Sequence, residues 1–439
     1  MKTSIIVLFC FALILAPGMD SFATSSVSTQ TPVAQQVQPP VLGADILFAA
    51  WPHPIIQGLQ DEARGDEMAR AFKKAGIRSF RFSFHGMYSP LGLEATARVK
   101  AENKVGNEFP WFPFGQYVDY IARHDFTTVV GINVEEGPDV ASAVVEEFIK
   151  RGILSKLVAI ELSNEPYLNH RPWLPEDYAR YAADVIRALT RYGVRFALPL
   201  TVGKEKNTPT KLSDSEWNRR MLQALSAQID LKERSDIYGV PHLYSRGVRA
   251  KTIDAFNKEV KPFAPRMRYL ITEFNIKLFL DGNPHLTNDY AMEFALRLAE
   301  VMARPEVEAM YVHAVPYHSI LYWANGGTLA TVSGHKDARL TRKDTTRGWH
   351  LTPAGKVYDL YSRLAWNGAP AVYSGGGKQS YWAVRTDDGR TIIAFLNSDK
   401  KTVKKKVKVE GRELSLTAPP RSILVVDGNG QRIEHLALN

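Results

Sequence analysis

Eight times between residues 44 and 315 a short apolar run gives way to an amphipathic stretch. The runs are Ala44–Ala50, Ser79–Phe84, Thr127–Val134, Leu157–Ser163, Arg195–Val202, Asp236–Val240, Arg268–Thr272 and Ala309–Val315. Their length and apolar content read as buried strands. The stretches between them carry helical spacing. In Asp139 to Arg151, Val140, Val144, Val145 and Phe148 share one face, with Glu146, Glu147 and Lys150 opposite. Pro175 to Arg191 and Asn288 to Met302 behave alike, and Thr352-Pro353-Ala354-Gly355 opens a last helix with proline in its first turn. Such alternation leaves two main solutions, a closed (β/α)8 barrel or an open doubly wound sheet. Ala44 to Ala309 spans 265 residues for seven repeats, about 38 each, which suits a barrel with some long loops. An open sheet commonly places a glycine-rich turn after its first strand, and this one ends in Ala50-Trp51-Pro52-His53. The expectation is a TIM barrel over residues 42–366.

The remainder, residues 367–439, lacks helical periodicity. Ser380–Arg385, Thr391–Asn397, Lys404–Val409 and Ser422–Val426 read as strands joined by turns such as Asp387-Asp388-Gly389-Arg390. A small antiparallel β-sandwich domain is expected there. Around Thr402–Val409, Val403, Val407 and Val409 share a face with Lys405, while Thr402, Lys404, Lys406 and Lys408 take the other. The lysines are most simply a solvated strand face, with a polyanion-binding strip as the competing reading.

The amino terminus sets the expected compartment. Residues 1–23 combine Lys2, an apolar run from Ile5 to Leu15, and Ser21 and Ala23 as small residues before a cut at Thr24. This is the pattern of a cleavable signal peptide, and the run is too short to span a bilayer. Residues 24–41, rich in Ser, Thr, Gln and Pro, read as a disordered linker. A secreted or periplasmic protein is expected. The single cysteine, Cys10, lies in the apolar run, which excludes a disulfide framework or a cysteine-rich metal site in the mature chain. A net charge of +9 does not demand nucleic-acid binding, and no later stretch is apolar enough to cross a membrane.

A barrel presents its chemistry at the C-terminal ends of its strands. The fourth run continues into Asn164-Glu165-Pro166, and the seventh into Glu273-Phe274-Asn275. Residues 165 and 273 are 108 positions apart, or three units of 36, so their strands face one another across an eight-stranded barrel. Two carboxyls converging there suit glycoside hydrolysis, which needs a proton on the leaving oxygen and an anion at the oxocarbenium-like centre. Either glutamate alone would read as a rim salt bridge.

Asn164-Glu165-Pro166 after strand four, with Glu273 in Ile271-Thr272-Glu273-Phe274-Asn275 after strand seven, resembles glycoside hydrolase clan A over about residues 42–366. Families 39, 51 and 79 are the nearest in general shape. The resemblance implies a retaining glycosidase with Glu165 as acid/base, Glu273 as nucleophile and Asn164 on the sugar 2-hydroxyl. It also implies substrate-site roles for His242 and Tyr244 in Pro241-His242-Leu243-Tyr244, the tyrosine hydrogen-bonding the nucleophile. Alternation in strand two turns Arg81 inward if Phe80, Phe82 and Phe84 face the helices. The resemblance implies an arginine near there that supports the nucleophile, and a buried structural ion pair is the other reading.

His85 at the rim either touches sugar or merely ends its strand. Of Trp51, Trp111, Trp173 and Trp323, Trp51 and Trp323 are expected to line the cleft. The long loop from Pro316 to His350 carries Lys336, Arg339, Arg342, Lys343 and Arg347 against Asp337 and Asp344, and is expected to form one wall. Such a wall would favour an anionic substrate. The charge argument is weakened by residues 370–439, whose 12 Lys and Arg against 7 Asp and Glu hold more than half the excess. No cofactor and no metal are expected. There is no His-Glu-x-x-His pattern, phosphate-binding glycine loop or Gly-x-Ser-x-Gly elbow. His85, His313 and His318 meeting as metal ligands is the competing chemistry. A transglycosylase and a non-catalytic carbohydrate-binding barrel remain alternatives to a hydrolase acting on a polysaccharide or oligosaccharide.

Overall fold

The inner face of the sheet explains how the barrel closes. The computed structural model describes residues 41–46, 58–59, 61–82, 114–168, 174–201, 211–244, 250–276, 287–313, 320–324, 348–365, 371–376, 379–386, 388–409 and 411–438. Eight strands form one closed parallel barrel in sequence order. They are β1 (Val41–Ile46), β2 (Ser79–Phe82), β3 (Thr127–Ile132), β4 (Leu157–Leu162), β5 (Phe196–Leu200), β6 (Ile237–Tyr244), β7 (Tyr269–Asn275) and β8 (Val307–Val312). The helices between them are α1 (Glu62–Lys74), α2 (Phe114–His124), α3 (Gly137–Lys150), α4 (Pro175–Leu189), α5 (Asp214–Ser226), α6 (Ala250–Val260) and α7 (Asn288–Met302), and α8 (Pro353–Ala365) follows. Their starts are chemically marked. Asp61, Ser213 and Thr287 accept the backbone N–H three residues on, and proline opens α3 and α4.

Side chains alternate across each strand, so the barrel has two cores. Outside, Ala44, Phe80, Phe82, Val130, Ile160 and Leu198 pack against the helices. Inside lies a separate cluster of Val129, Ala159, Ala197, Tyr238, Val240, Leu270, Ala309 and Tyr311. The small members leave room for the two tyrosines. Gly43 on β1 takes this to its limit. A Cβ there would sit 2.9 Å from the Ser79 carbonyl oxygen and closer still to the Tyr311 ring, whose hydroxyl is 3.0 Å from Ser79 Oγ.

All eight anticipated strands are present, shifted by a few residues. β6 and β7 run further than their apolar cores, through His242 and Tyr244 and through Glu273 and Asn275. Glu273 thus lies within a strand end rather than beyond it. The stretch expected as one long loop contains β9 (Leu321–Ala324) and β10 (Gly348–Leu351), paired antiparallel with Trp323 opposite Trp349. Four-residue strands are too short to show a period in sequence.

The C-terminal part is a β-sandwich of five strands on two. β11 (Ala371–Gly376), β12 (Gln379–Arg385), β13 (Thr391–Asn397), β16 (Ser422–Asp427) and β17 (Arg432–Ala437) form one sheet, and β14 (Val403–Val409) pairs with β15 (Arg412–Ala418). Tyr381, Ala383, Ile393 and Phe395 meet Val407, Val409, Leu416 and Ala418 between the sheets. The opposite face of the larger sheet, with Trp382, Val384, Ala394, Leu396 and Val425, joins the outer core of the barrel. There Trp382 stands edge-on to Tyr361 of α8, centroids 5.5 Å apart, and Arg363 forks onto Glu434 of β17 at 3.0 and 3.1 Å. Lys404, Lys406 and Lys408 are exposed, on the face opposite Val407 and Val409.

Gly43→Ala should destabilise the protein by about 1–3 kcal/mol, because the added methyl overpacks a rigid ring and a backbone oxygen. The shift in denaturant midpoint measures it, and an unchanged midpoint would show that the barrel interior is looser than described.

Candidate active site

One pleat above the inner apolar layer the same strands turn polar. Asp45 follows Gly43, Arg81 follows Ser79, Glu161 follows Ala159, His242 follows Val240, Thr272 follows Leu270 and His313 follows Tyr311, each two residues along its strand or just past it. All six are buried. A two-residue step keeps the side chains on the inner face and lifts them by about 7 Å. The apolar layer is therefore the floor and these residues are the site.

Arg81 lies at its centre, wholly buried. Its Nε and Nη2 form a fork onto Glu161 at 2.7 and 2.6 Å. Nη2 also donates to Asn164 Oδ1 at 2.6 Å, and Nη1 donates to Glu273 Oε1 and lies 3.3 Å from Asp45 Oδ1. Burial opposes the guanidinium charge, but Glu161, Asp45 and Glu273 outweigh it and hold the pKa well above the ordinary arginine value.

Glu273 collects the rest. Strict alternation after Thr272 would send it outward, and the irregularity in the β7–β8 pairing between Ile271 and Phe274 turns it in. Tyr244 donates its hydroxyl to Oε2, and His242 Nδ1 and His313 Nδ1 lie 3.4 and 3.6 Å from that oxygen. Burial pushes the Glu273 pKa up. His242, Arg81, His313 and the Tyr244 hydrogen bond overcome this and carry it far below the carboxylate range. Burial together with Glu273 pushes the Tyr244 phenol well above its usual value, which keeps it a donor.

His242 joins the two glutamates singled out in the sequence. Its Nδ1 is 2.9 Å from Glu165 Oε1, and its Nε2 is 3.1 Å from Thr272 Oγ1 and 3.7 Å from Glu161 Oε1. Burial would depress its pKa, but Glu273, Glu161 and Glu165 push it up to about 10. Carboxylate oxygens of Glu165 and Glu273 come within 4.8 Å of one another around it. Glu165 keeps a quarter of its side chain exposed, whereas Glu273 is nearly closed off.

The backbone bends sharply to bring Glu165 there. Ser163 and Glu165 have φ of +73° and +43°, a conformation that costs a residue with a side chain about 1 kcal/mol or more and calls for compensating contacts. Ser163 supplies them. Its N–H donates to the Ile132 carbonyl at 2.8 Å, and its Oγ accepts from Val134 N–H at 3.1 Å. The Tyr178 hydroxyl holds the Leu162 carbonyl at 2.6 Å.

Of the residues anticipated from sequence, Arg81, Asn164, Glu165, His242, Tyr244 and Glu273 are brought together. Trp51 and His85 lie outside the described residues, as do Trp111, Trp173, His318 and the basic residues 336–347. Trp323 is described only in its backbone. Sequence reasoning passed over Asp45, Glu161 and Thr272 and weighed His313 only as a metal ligand. Two trios, Asp45–Glu273–His313 and Glu165–His242–Glu273, place ligand atoms close enough for a metal ion. The Arg81 guanidinium already contacts both carboxylates of the first trio, and the Tyr244 hydroxyl takes up the shared Glu273.

No protein-family model matches the chain, and no curated protein matches it in sequence. Solved structures do match in shape. An endo-β1,6-glucanase is 12% identical with a TM-score of 0.56, covering 88% of this chain and 91% of its own. A GH51 arabinofuranosidase from Xanthomonas axonopodis pv. citri is 16% identical, TM-score 0.56, covering 92% and 95%. A GH39 β-xylosidase from Caulobacter crescentus is 14% identical, TM-score 0.51, covering 84% and 81%. What the chain shares with these three enzymes is the fold.

Stability should peak between about pH 4.5 and 6.5. Glu161 and Glu273 are held below their ordinary 4.5, so their contribution is complete above that value and is lost as pH falls through their folded pKa values. His242 is raised from 6.5 to about 10, and His313 is raised too, so theirs is complete below 6.5 and is lost as pH rises toward 10. In Arg81→Met the buried carboxylates lose their counter-ion, and stability at pH 7 should fall by about 3–5 kcal/mol. Thermal melts across pH check both; a flat profile in the wild type would contradict the charge network.

Proposed function

We propose that the protein is an exported retaining glycosidase acting on a polysaccharide or oligosaccharide. The observation that carries this is the approach of Glu165 and Glu273 oxygens to within 4.8 Å around one imidazole. So close an approach of facing oxygens favours the shorter carboxyl separation of double displacement, about 5–5.5 Å, over the 6.5–9.5 Å or so that leaves room for a water in inversion. The environments differ in the sense the reaction needs. Glu273 is buried, ionised and oriented by Arg81 and Tyr244, as suits a nucleophile. Glu165 is partly exposed and touches His242, as suits a group that exchanges protons with a leaving group and with water.

Glu165 protonates the glycosidic oxygen while a Glu273 oxygen attacks the anomeric carbon, giving a glycosyl ester of inverted configuration. Glu165 then takes a proton from water, which displaces Glu273 and restores the original configuration. Arg81 donates to Asn164 Oδ1, so the amide NH2 is the group Asn164 offers a sugar hydroxyl. No cofactor enters these steps. A transglycosylase would differ only in the acceptor that replaces water.

Glu273→Ala should lower turnover by several orders of magnitude, with azide restoring a product of inverted configuration. Glu165→Ala should spare activated aryl glycosides far more than natural linkages, since only the acid role depends on leaving-group basicity. Equal loss on both substrate types would overturn the role assignment.

Export and an anionic substrate rest on sequence alone. The secreted form should begin at Thr24 by amino-terminal sequencing. If the glycan is acidic, kcat/KM should fall as salt screens the attraction and Arg339→Ala/Arg342→Ala should weaken it. A neutral glycan turned over without salt dependence would count against that substrate class.

A further inference from the structure

The proposed reaction leaves one buried pair beside Glu273 unexplained. Asp45 of β1 and His313, just past β8, are neighbours because these two strands close the barrel, with Ala44 paired to Val312. Both side chains are buried. His313 Nδ1 is 2.5 Å from Asp45 Oδ2. Its backbone is pinned on both sides, N–H to the Phe274 carbonyl at 2.9 Å and carbonyl to Asn275 Nδ2 at 3.3 Å. The Tyr244 ring meets the imidazole edge to face, centroids 5.3 Å apart at 88°. The imidazole is therefore held by a carboxylate, an aromatic ring and its own main chain.

What it faces is Oε2 of Glu273, 3.6 Å away. At that distance, with its proton directed to Asp45, it acts on Glu273 as a nearby charge rather than as a full hydrogen-bond donor. The other oxygen of Asp45 lies 3.3 Å from Arg81 Nη1, the same nitrogen that donates to Glu273 Oε1. Asp45 thus touches both cations that flank one carboxylate.

We propose that Asp45 and His313 form a positioning pair for Glu273, in which Asp45 fixes the imidazole and the imidazole stands as a fixed charge beside Oε2. The idea rests on Glu273 being the nucleophile. Among the described residues, the charged and titratable groups facing His313 include Asp45 on β1, Arg81 on β2, Tyr244 on β6 and Glu273 on β7. Burial and Arg81 disfavour the imidazolium, and Glu273 and Asp45 favour it, with a net rise above the usual histidine value. The imidazole is thereby poised to stay cationic while Glu273 is a carboxylate. Esterification of Glu273 removes one of the two favourable charges, and the hold on the leaving carboxylate returns as the ester breaks.

The test uses the full-length protein and two readouts. Histidine 15N NMR follows the protonation of His313 in wild type, Asp45→Asn and Glu273→Gln. The expected result is a fall in its pKa of at least about one unit in each variant, tenfold in the proton-binding constant. The second readout is the pH profile of kcat/KM on an aryl glycoside hydrolysed by the wild type. In His313→Asn the acidic limb should move up by about a unit, because Glu273 loses a cation, with kcat falling more than KM changes. An unshifted His313 titration in both NMR variants would overturn the pair, as would a His313→Asn profile that superimposes on wild type after scaling. Should Asp45→Asn fail to fold, Glu273→Gln and His313→Asn decide alone. A wild type inactive on every glycoside would instead remove the functional reading, and the NMR result would still say whether His313 is coupled to Glu273.

Discussion

The candidate site depends on one guanidinium. A buried cation is tolerable only when its donors are matched, and Arg81 is matched by Glu161, Asn164, Asp45 and Glu273 from different strands or strand ends. Arg81 therefore acts as a hub. It ties β1, β2, β4 and β7 together at one height in the barrel and fixes the spacing of the acidic groups around it. Its fork onto Glu161 consumes two donors and leaves one face of the guanidinium for Glu273. Lysine, with a single point of charge, could not span the same partners.

The barrel and the main polar residues were legible because the relevant signals are periodic or local. Eight apolar runs at nearly even spacing led to eight strands, and Asn164, Glu165 and Glu273 stand directly after two of them. Looking only beyond each run hid Asp45 and Glu161. Both lie inside strands whose other residues are apolar, and the strand pattern absorbed them. Two-residue alternation from Gly43 and Ala159 places both on the inner face, so the signal existed at the level of pleat rather than of motif. Glu273 shows the opposite case. Alternation counted from Leu270 points it outward, and a break in strand pairing, which no sequence pattern announces, brings it in. In the sandwich β11, β15 and β17 went unseen, since Ala371–Gly376 ends in two glycines and the other two mix charged and apolar residues without strong β-forming character.

Backbone strain and side-chain charge work together at Glu165. The turn from Ser163 to Pro166 passes twice through positive φ, and the Pro166 ring then locks its own φ at the end of the turn. The Ser163 hydroxyl and the Tyr178 phenol hold the backbone on either side of Leu162. The backbone that carries the carboxyl is thus held, and His242 meets the carboxyl at 2.9 Å. Groups that respond to charge surround groups that are mechanically fixed, an arrangement that favours accurate placement over adaptability.

The larger sheet of the sandwich is apolar on both sides. Tyr381 and Ala383 point toward β14 and β15, whereas Trp382 and Val384 point toward the barrel's helices. An appendage carried on a tether would need only one such face, and its other would be wetted. Here each partner would meet water across an apolar surface if parted from the other. The two halves of the chain thus share one seam: a substitution at Tyr361 or Trp382 is felt on both sides of it, and a sandwich moved to another scaffold would carry an apolar face in need of a matching surface.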